Sequence, residues 1–249
     1  MPAIGRRIYG LGAIALGIVE LRYGAFADVW LRVPAHLPAY HFLAYAAAGL
    51  LMLGGLAINI TRTAAIGALG LAAVFAAGLV GTLLPAALAK PATWGAWQGV
   101  AESTVMALSG ALAYAQTPGV SATGAPRMAR IARLGFGACL LIFGVSHFVY
   151  AKFTASMVPA WLPPSQLAWA YATGVAQIAA GLAMLSAVRA RLAAVLLTVM
   201  YFAFGVLVHA PSVIADPASH ANWAENAINL ILTGGAWILA DSLRRRRSG

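Results

Sequence analysis

The sequence predicts an all-α polytopic membrane protein, with eight transmembrane helices arranged as two fused, parallel four-helix repeats. Three observations carry this expectation. The 249 residues are 62% hydrophobic and only 9% charged, with a mean hydropathy of +0.84. A water-soluble domain carries about 25% charged residues, so this chain lacks the charge to cover a hydrated surface. Eight apolar stretches approach the roughly 20 residues that a helix needs to span a bilayer. Finally, the two halves share a framework. Gly10, Gly17, Tyr23 and Phe26 recur as Gly137, Gly144, Tyr150 and Phe153, 127 residues later. Val33-Pro34-Ala35-His36-Leu37-Pro38 recurs as Val158-Pro159-Ala160-Trp161-Leu162-Pro163, 125 later, and Pro85, Pro91 and Trp97 recur as Pro211, Pro217 and Trp223, 126 later. An offset that drifts by two residues marks a duplicated and fused unit.

The first span covers 8–27. Arg6-Arg7, the apolar stretch and Ala25-Phe26-Ala27 imitate a secretory signal. Glu20 and Arg22 interrupt the apolar part, however, and the segment duplicates an internal one that begins near Leu134, so it reads as a retained span. Spans two to four cover 40–60, 64–86 and 96–116. The stretch 117–133, with Pro118, Gly119, Ser121, Gly124 and Pro126, reads as a cytoplasmic linker. Spans five to eight cover 134–151, 166–187, 192–210 and 224–242. The first repeat is therefore 1–116 and the second 134–249. Two prolines four apart keep VPAHLP and VPAWLP out of helix interiors. The 26 glycines suit close helix packing in lipid.

The formal charge of +10 does not point to nucleic acid, because the basic residues sit at the ends of apolar runs. Arg6, Arg7, Arg62, Arg127, Arg130, Arg133, Arg189, Arg191 and Arg244 to Arg247 fall on one side. Only Arg22, Arg32, Lys90 and Lys152 fall on the other. Twelve against four places both termini in the cytoplasm. The run Arg244-Arg245-Arg246-Arg247 reads as a stop that touches anionic headgroups. Trp97, Trp161 and Trp223 suit the interfacial belt. Cys139 is the only cysteine, so no intrachain disulfide or CxxC chemistry exists, and it reads as a small buried hydrophobe.

An ionisable group in lipid costs several kcal/mol unless it is paired or faces a cavity, and each such residue is a functional candidate. Gln98, Glu102 and Ser109 lie on one face of the fourth span; Asn222, Asn226, Asn229 and Thr233 lie on one face of the eighth, beside Glu225. The sixth span carries Thr173 and Gln177, the fifth His147 and the seventh His209. Glu20 and Arg22 can pair within the first. We expect the stripes to turn inward around a polar cavity open to the outer side, with His147, Gln177, His209, Glu225, Asn226 and Glu102 as its ligand-binding residues. Interhelical hydrogen bonding is the competing role for Thr173, Gln177 and Asn229. Two histidines on separate helices carry no spacing constraint, so haem is not expected, and no metal signature is present. The repeats differ in chemistry: His147 aligns with Glu20, His209 with Leu83 and Glu102 with Ile228. One asymmetric site fits that pattern better than two equivalent ones.

Gly144-Val145-Ser146-His147-Phe148, Met157-Val158-Pro159-Ala160-Trp161-Leu162-Pro163 and Thr173-Gly174-Val175-Ala176-Gln177-Ile178-Ala179-Ala180-Gly181 resemble the motifs of the DoxX-like family of four-helix membrane proteins. The resemblance covers about 134–242, and the first half follows it in framework only. Gln177 stands where that family usually has a glutamate. The resemblance implies a redox-associated membrane component that binds a quinone or a small sulfur compound, with a redox enzyme subunit as partner. A non-catalytic assembly or scaffold subunit, or a small-solute transporter, are the alternatives.

Overall fold

The computed structural model describes residues 3–120 and 124–244. They form nine helices and, among the described residues, no strand. The helices are α1 (Ala3–Tyr23), α2 (Tyr40–Asn59), α3 (Ala64–Ala89), α4 (Trp94–Ala115), α5 (Gly124–Val149), a short α6 (Ala151–Met157), α7 (Gln166–Ser186), α8 (Ala190–Ala215) and α9 (His220–Ser242). Two expected features lie outside the described residues in part: Ser121 of the linker, and Arg245, Arg246 and Arg247 of the basic run.

Five helices, α2, α3, α5, α7 and α8, are long and apolar enough to cross a membrane. The sequence led us to expect eight. The other three long helices, α1, α4 and α9, have the length but are diluted by polar residues: Arg6, Arg7 and Glu20 in α1, Gln98 and Glu102 in α4, Asn222, Glu225, Asn226 and Asn229 in α9. Two of these three sit innermost. From Ala224 to Ser242 α9 exposes no residue, and in α4 only Gln98 is exposed. The apolar helices lie outside them and display Leu50, Leu53, Ile66, Leu69, Val175, Leu196, Val199 and Phe202. Apolar exposure on the periphery and polar dilution at the centre is the arrangement that a lipid solvent favours.

The packing repeats along with the sequence. α1 packs on α2 as α5 packs on α7, and α1 lies against α9 as α5 lies against α4. Glycines set both of the first contacts. A Cβ on Gly55 would stand 2.6 Å from the Gly10 carbonyl oxygen, and one on Gly181, 126 residues later, 2.8 Å from that of Gly137. Cross-helix hydrogen bonds recur as well. Ser103 Oγ donates to the Phe75 carbonyl at 3.1 Å, and Asn229 Nδ2 donates to the Tyr201 carbonyl at 3.0 Å. The Trp97 and Trp223 indoles donate to the Pro91 and Pro217 carbonyls, both at 3.0 Å, so each tethers the loop that precedes its helix.

Several boundaries differ from expectation: α1 runs over Ala3–Tyr23 rather than 8–27, α3 extends past 86 to Ala89, α8 past 210 to Ala215, and α5 begins ten residues before 134. α3 and α8 run through Pro85 and Pro211 because each widens into a π turn just before, at Leu79–Leu83 and Gly205–His209. A proline ring clashes with the carbonyl four residues back; that carbonyl belongs to Gly81 or Leu207, inside the wide turn, where the ladder is already displaced. α5 starts at Gly124, so much of the expected linker is helix. Pro126 falls in its first turn, where a missing N–H costs nothing. Arg133 then donates to the carbonyls of Met184 and Leu185 at the end of α7, a cation on a helix C-terminus.

Candidate functional site

A cavity of about 620 Å³ opens between the second half and α4 of the first, inside the range of about 300–1,000 Å³ usual for small-molecule sites. It lies where α5 ends, at the end of the bundle that carries the α5–α7 connection, as lining by Tyr150, Phe153, Met157, Pro159 and Leu162 shows. Five long helices contribute polar groups: Gln98 and Glu102 from α4, Ser146 and His147 from α5, Thr173 and Gln177 from α7, His209 from α8, and Glu225 and Asn229 from α9. The remaining wall is apolar and aromatic, with Phe143, Met200, Tyr201, Phe204 and Leu232.

His147 is the most constrained of the polar groups. Its Nδ1 lies 3.1 Å from the Ala170 carbonyl and 2.9 Å from Thr173 Oγ1. A carbonyl only accepts, so Nδ1 carries the proton. The Thr173 hydroxyl donates back to Trp169 at 2.8 Å and is free to accept from Nδ1–H. The neutral imidazole therefore keeps its lone pair on Nε2. The ring stacks loosely on Phe204, with centroids 6.5 Å apart. The close approach of α5 to α7 explains why the ring is held there, since a Cβ on Gly174 would meet the His147 Cβ at 2.8 Å.

Gln177 is 3% exposed and its Oε1 is buried with no partner among the described residues. His209 Nδ1 lies 3.9 Å from Glu225 Oε2, too far for a hydrogen bond but close enough for each to polarise the other. Glu102 is half-buried and shares the cavity with Glu225. No lysine or arginine is among the lining residues.

The structure thus brings together His147, Gln177, His209, Glu225 and Glu102. Asn226, expected with them, is not among the lining residues, because it sits one position round the helix from Glu225. The rest of the α9 stripe divides. Asn222 Nδ2 donates to Ser212, Asn229 spans to α8, and Thr233 bonds back within its own helix. Ser109 likewise bonds Val105 in its own helix. Sequence reasoning missed Ser146, Tyr201 and Phe204. The signal for Tyr201 was present, since it aligns with Phe75 at the 126-residue offset.

The equivalent place in the first half is filled. Gly24, at φ +61°, ends α1 in the left-handed conformation and turns the chain back into the bundle. His41 Nδ1 donates to the Gly24 carbonyl at 2.7 Å. Phe26, Ala27, Trp30 and Leu31 are buried as a result. Glu20 is fully buried, and its Oε1 accepts from the Ala27 N–H at 2.9 Å and from the Trp30 indole at 3.0 Å. His220 Nε2 lies 3.8 Å from the same oxygen, and its ring stacks on Tyr23 at 4.2 Å. The expected pairing of Glu20 with Arg22 does not form: Arg22 is exposed, with its guanidinium over the Tyr23 ring. In the second half Ala151 stands where Gly24 is. There the chain continues as α6, which has no buried residue, and Phe153 is 66% exposed.

Comparison with known proteins gives one family match, to a domain of unknown function (DUF8561), over residues 136–237. That range runs from α5 into α9 and contains most of the cavity. No curated protein matches the chain. No solved structure matches it either.

Proposed function

We propose that this chain is a DoxX-like, redox-associated membrane component that holds a quinone-type ring in the cavity of its second half. One observation carries the reading: polar side chains from five long helices converge on a single hollow whose other walls are apolar and aromatic. A neutral ring with polar substituents on its rim matches such a lining. Of the two ligand classes that the resemblance implies, an anionic sulfur compound fits poorly, because Glu102 and Glu225 border the cavity and no cation does. His147 Nε2, Gln177 and the Glu225–His209 pair are the groups that would hold and orient the ring. A bound quinone supplies reversible hydrogen and electron exchange; this chain's residues supply the hydrogen bonds around it and the exclusion of water.

The same reading includes the topology. The five apolar helices and the Ile4, Leu11, Ile18 and Leu21 face of α1 meet lipid, and α4 and α9 cross within their shelter, which gives two parallel four-helix repeats with both termini in the cytoplasm. The setting is the inner membrane of a bacterium, and the cavity opens outward. The test is chemical. Quinone extracted from purified protein is quantified for the natural chain and for His147→Ala, with the melting temperature of each as a control for folding. We expect the natural chain to retain quinone and the variant to lose most of it. Equal content in a folded variant, or none in either, removes the proposal.

A further inference from the structure

The two halves present the same place in two states, one filled by the chain itself. Glu20 and His147 are equivalent positions 127 residues apart, and Phe75 and Tyr201 are equivalent 126 apart. In the first half the Trp30 indole, 2% exposed, donates its N–H to Glu20 and meets Phe75 edge to face, with centroids 6.1 Å apart. In the second half His147 and Tyr201 border the open cavity. Chain length explains the difference. Six residues separate Phe26 from Val33, whereas four separate Phe153 from Val158. The shorter segment has no tryptophan to offer and folds outward as α6. Gly78 makes room in the first half, where a Cβ would already touch Leu31 at 3.0 Å and Trp30 at 3.8 Å. Its counterpart in the second half is Phe204, which walls the cavity instead.

We propose that Trp30 occupies, in the first half, the place that a ligand takes in the second, and that this ligand is a planar ring presenting a hydrogen-bond donor to His147 Nε2. The group at the Trp30 contact is an acceptor, Glu20 Oε1. Its counterpart is an acceptor too, because the Ala170 carbonyl holds the His147 proton on Nδ1. The site therefore selects rings bearing O–H or N–H over rings bearing carbonyls or ethers alone. This rests on the proposed ring site and narrows it: between the two oxidation levels of a quinone, the cavity favours the hydroxylated one.

The experiment uses the full chain in detergent and three probes of one shape: tetramethylhydroquinone, tetramethylquinone and the dimethyl ether of the hydroquinone. Binding is measured by equilibrium dialysis. We expect one hydroquinone per chain, bound about tenfold more tightly than quinone or ether, as the loss of one well-formed hydrogen bond predicts. In His147→Phe the three should bind alike. Equal affinities in the natural chain overturn the donor rule while leaving a ring site standing; no binding by any probe overturns both. A second arm stays within the first half. Trp30→Gly should lower the melting temperature; indole should restore it, and 1-methylindole, which lacks the N–H, should not. Rescue by both, or by neither, overturns the claim that the place is built for a donor-bearing ring.

Discussion

Glu20 is fully buried, and what makes it tolerable is the set of donors around it. One oxygen takes the Ala27 N–H and the Trp30 indole, and His220 approaches the same atom. The group fastens the 26–31 segment into the bundle, so its loss strands two buried donors at once. We expect Glu20→Ala to destabilise the protein by about 3 kcal/mol, since each unpaired buried group costs roughly 1–3 kcal/mol. Glu20→Gln keeps an acceptor oxygen and should cost less than half as much. Thermal unfolding in detergent reads both, and an Ala variant as stable as the Gln variant would contradict the role. The sequence made Glu20 conspicuous but pointed to the wrong partner. Arg22 is two residues away, yet on a helix a spacing of two puts side chains on different faces. The true partners, Ala27 and Trp30, lie past the Gly24 turn, where no helical periodicity reaches.

At the scale of elements, the helix pairs α1–α2 and α5–α7 are set by backbone contact through glycine. A Cβ at Gly55 or Gly181 must displace a carbonyl of the facing helix at under 3 Å, and a backbone atom in a packed helix cannot swing aside. Gly55→Ala and Gly181→Ala should each cost about 1–3 kcal/mol, the usual penalty for overpacking. Gly49 and Gly70 meet nothing within 4 Å, so alanine there should be neutral or slightly stabilising through helix propensity. Melting temperatures of the four variants should fall into these two groups; four similar values would disprove the contact argument. These helices were legible because glycine spacing, apolar length and the internal repeat all agree. The α8 end was not, because Pro211 looks like a stop and the π turn that accommodates it carries no sequence signature of its own; the expected third span already passed Pro85. The cavity was legible in part. Residues such as His147, Gln177 and Glu225 are polar where lipid forbids it, so they announce themselves. Tyr201 and Phe204 look like any core aromatic, and only the fold puts them on a wall.

For the molecule as a whole, the decisive quantity is which ends of the helices share a side. Polar residues were enough to lower the apolarity of α1, α4 and α9, but α4 and α9 shelter among the other helices; hydropathy ranks a helix by its own side chains and not by its neighbours. The distribution of charge gives an independent reading. Arg62 and Arg189 connect α2 to α3 and α7 to α8, whereas Lys90 and Lys152 follow α3 and α5, and all four are exposed. If the halves are parallel copies, the equivalent connections at 62 and 189 lie on one side, and 90 and 152, which follow α3 and α5, share the other. The single cysteine, Cys139, is buried, so Cys139→Ala gives a background without thiols at the cost of a small core atom. Arg62→Cys, Lys90→Cys, Lys152→Cys and Arg189→Cys, placed singly in that background, can then be labelled with a membrane-impermeant maleimide. We expect positions 90 and 152 to label in intact cells, and positions 62 and 189 only in inverted vesicles. Labelling of 62 and 189 from opposite sides would mean that the halves are not parallel. The Trp30 site and the cavity would then lie at opposite membrane faces, and the correspondence between Glu20 and His147 would lose its physical basis.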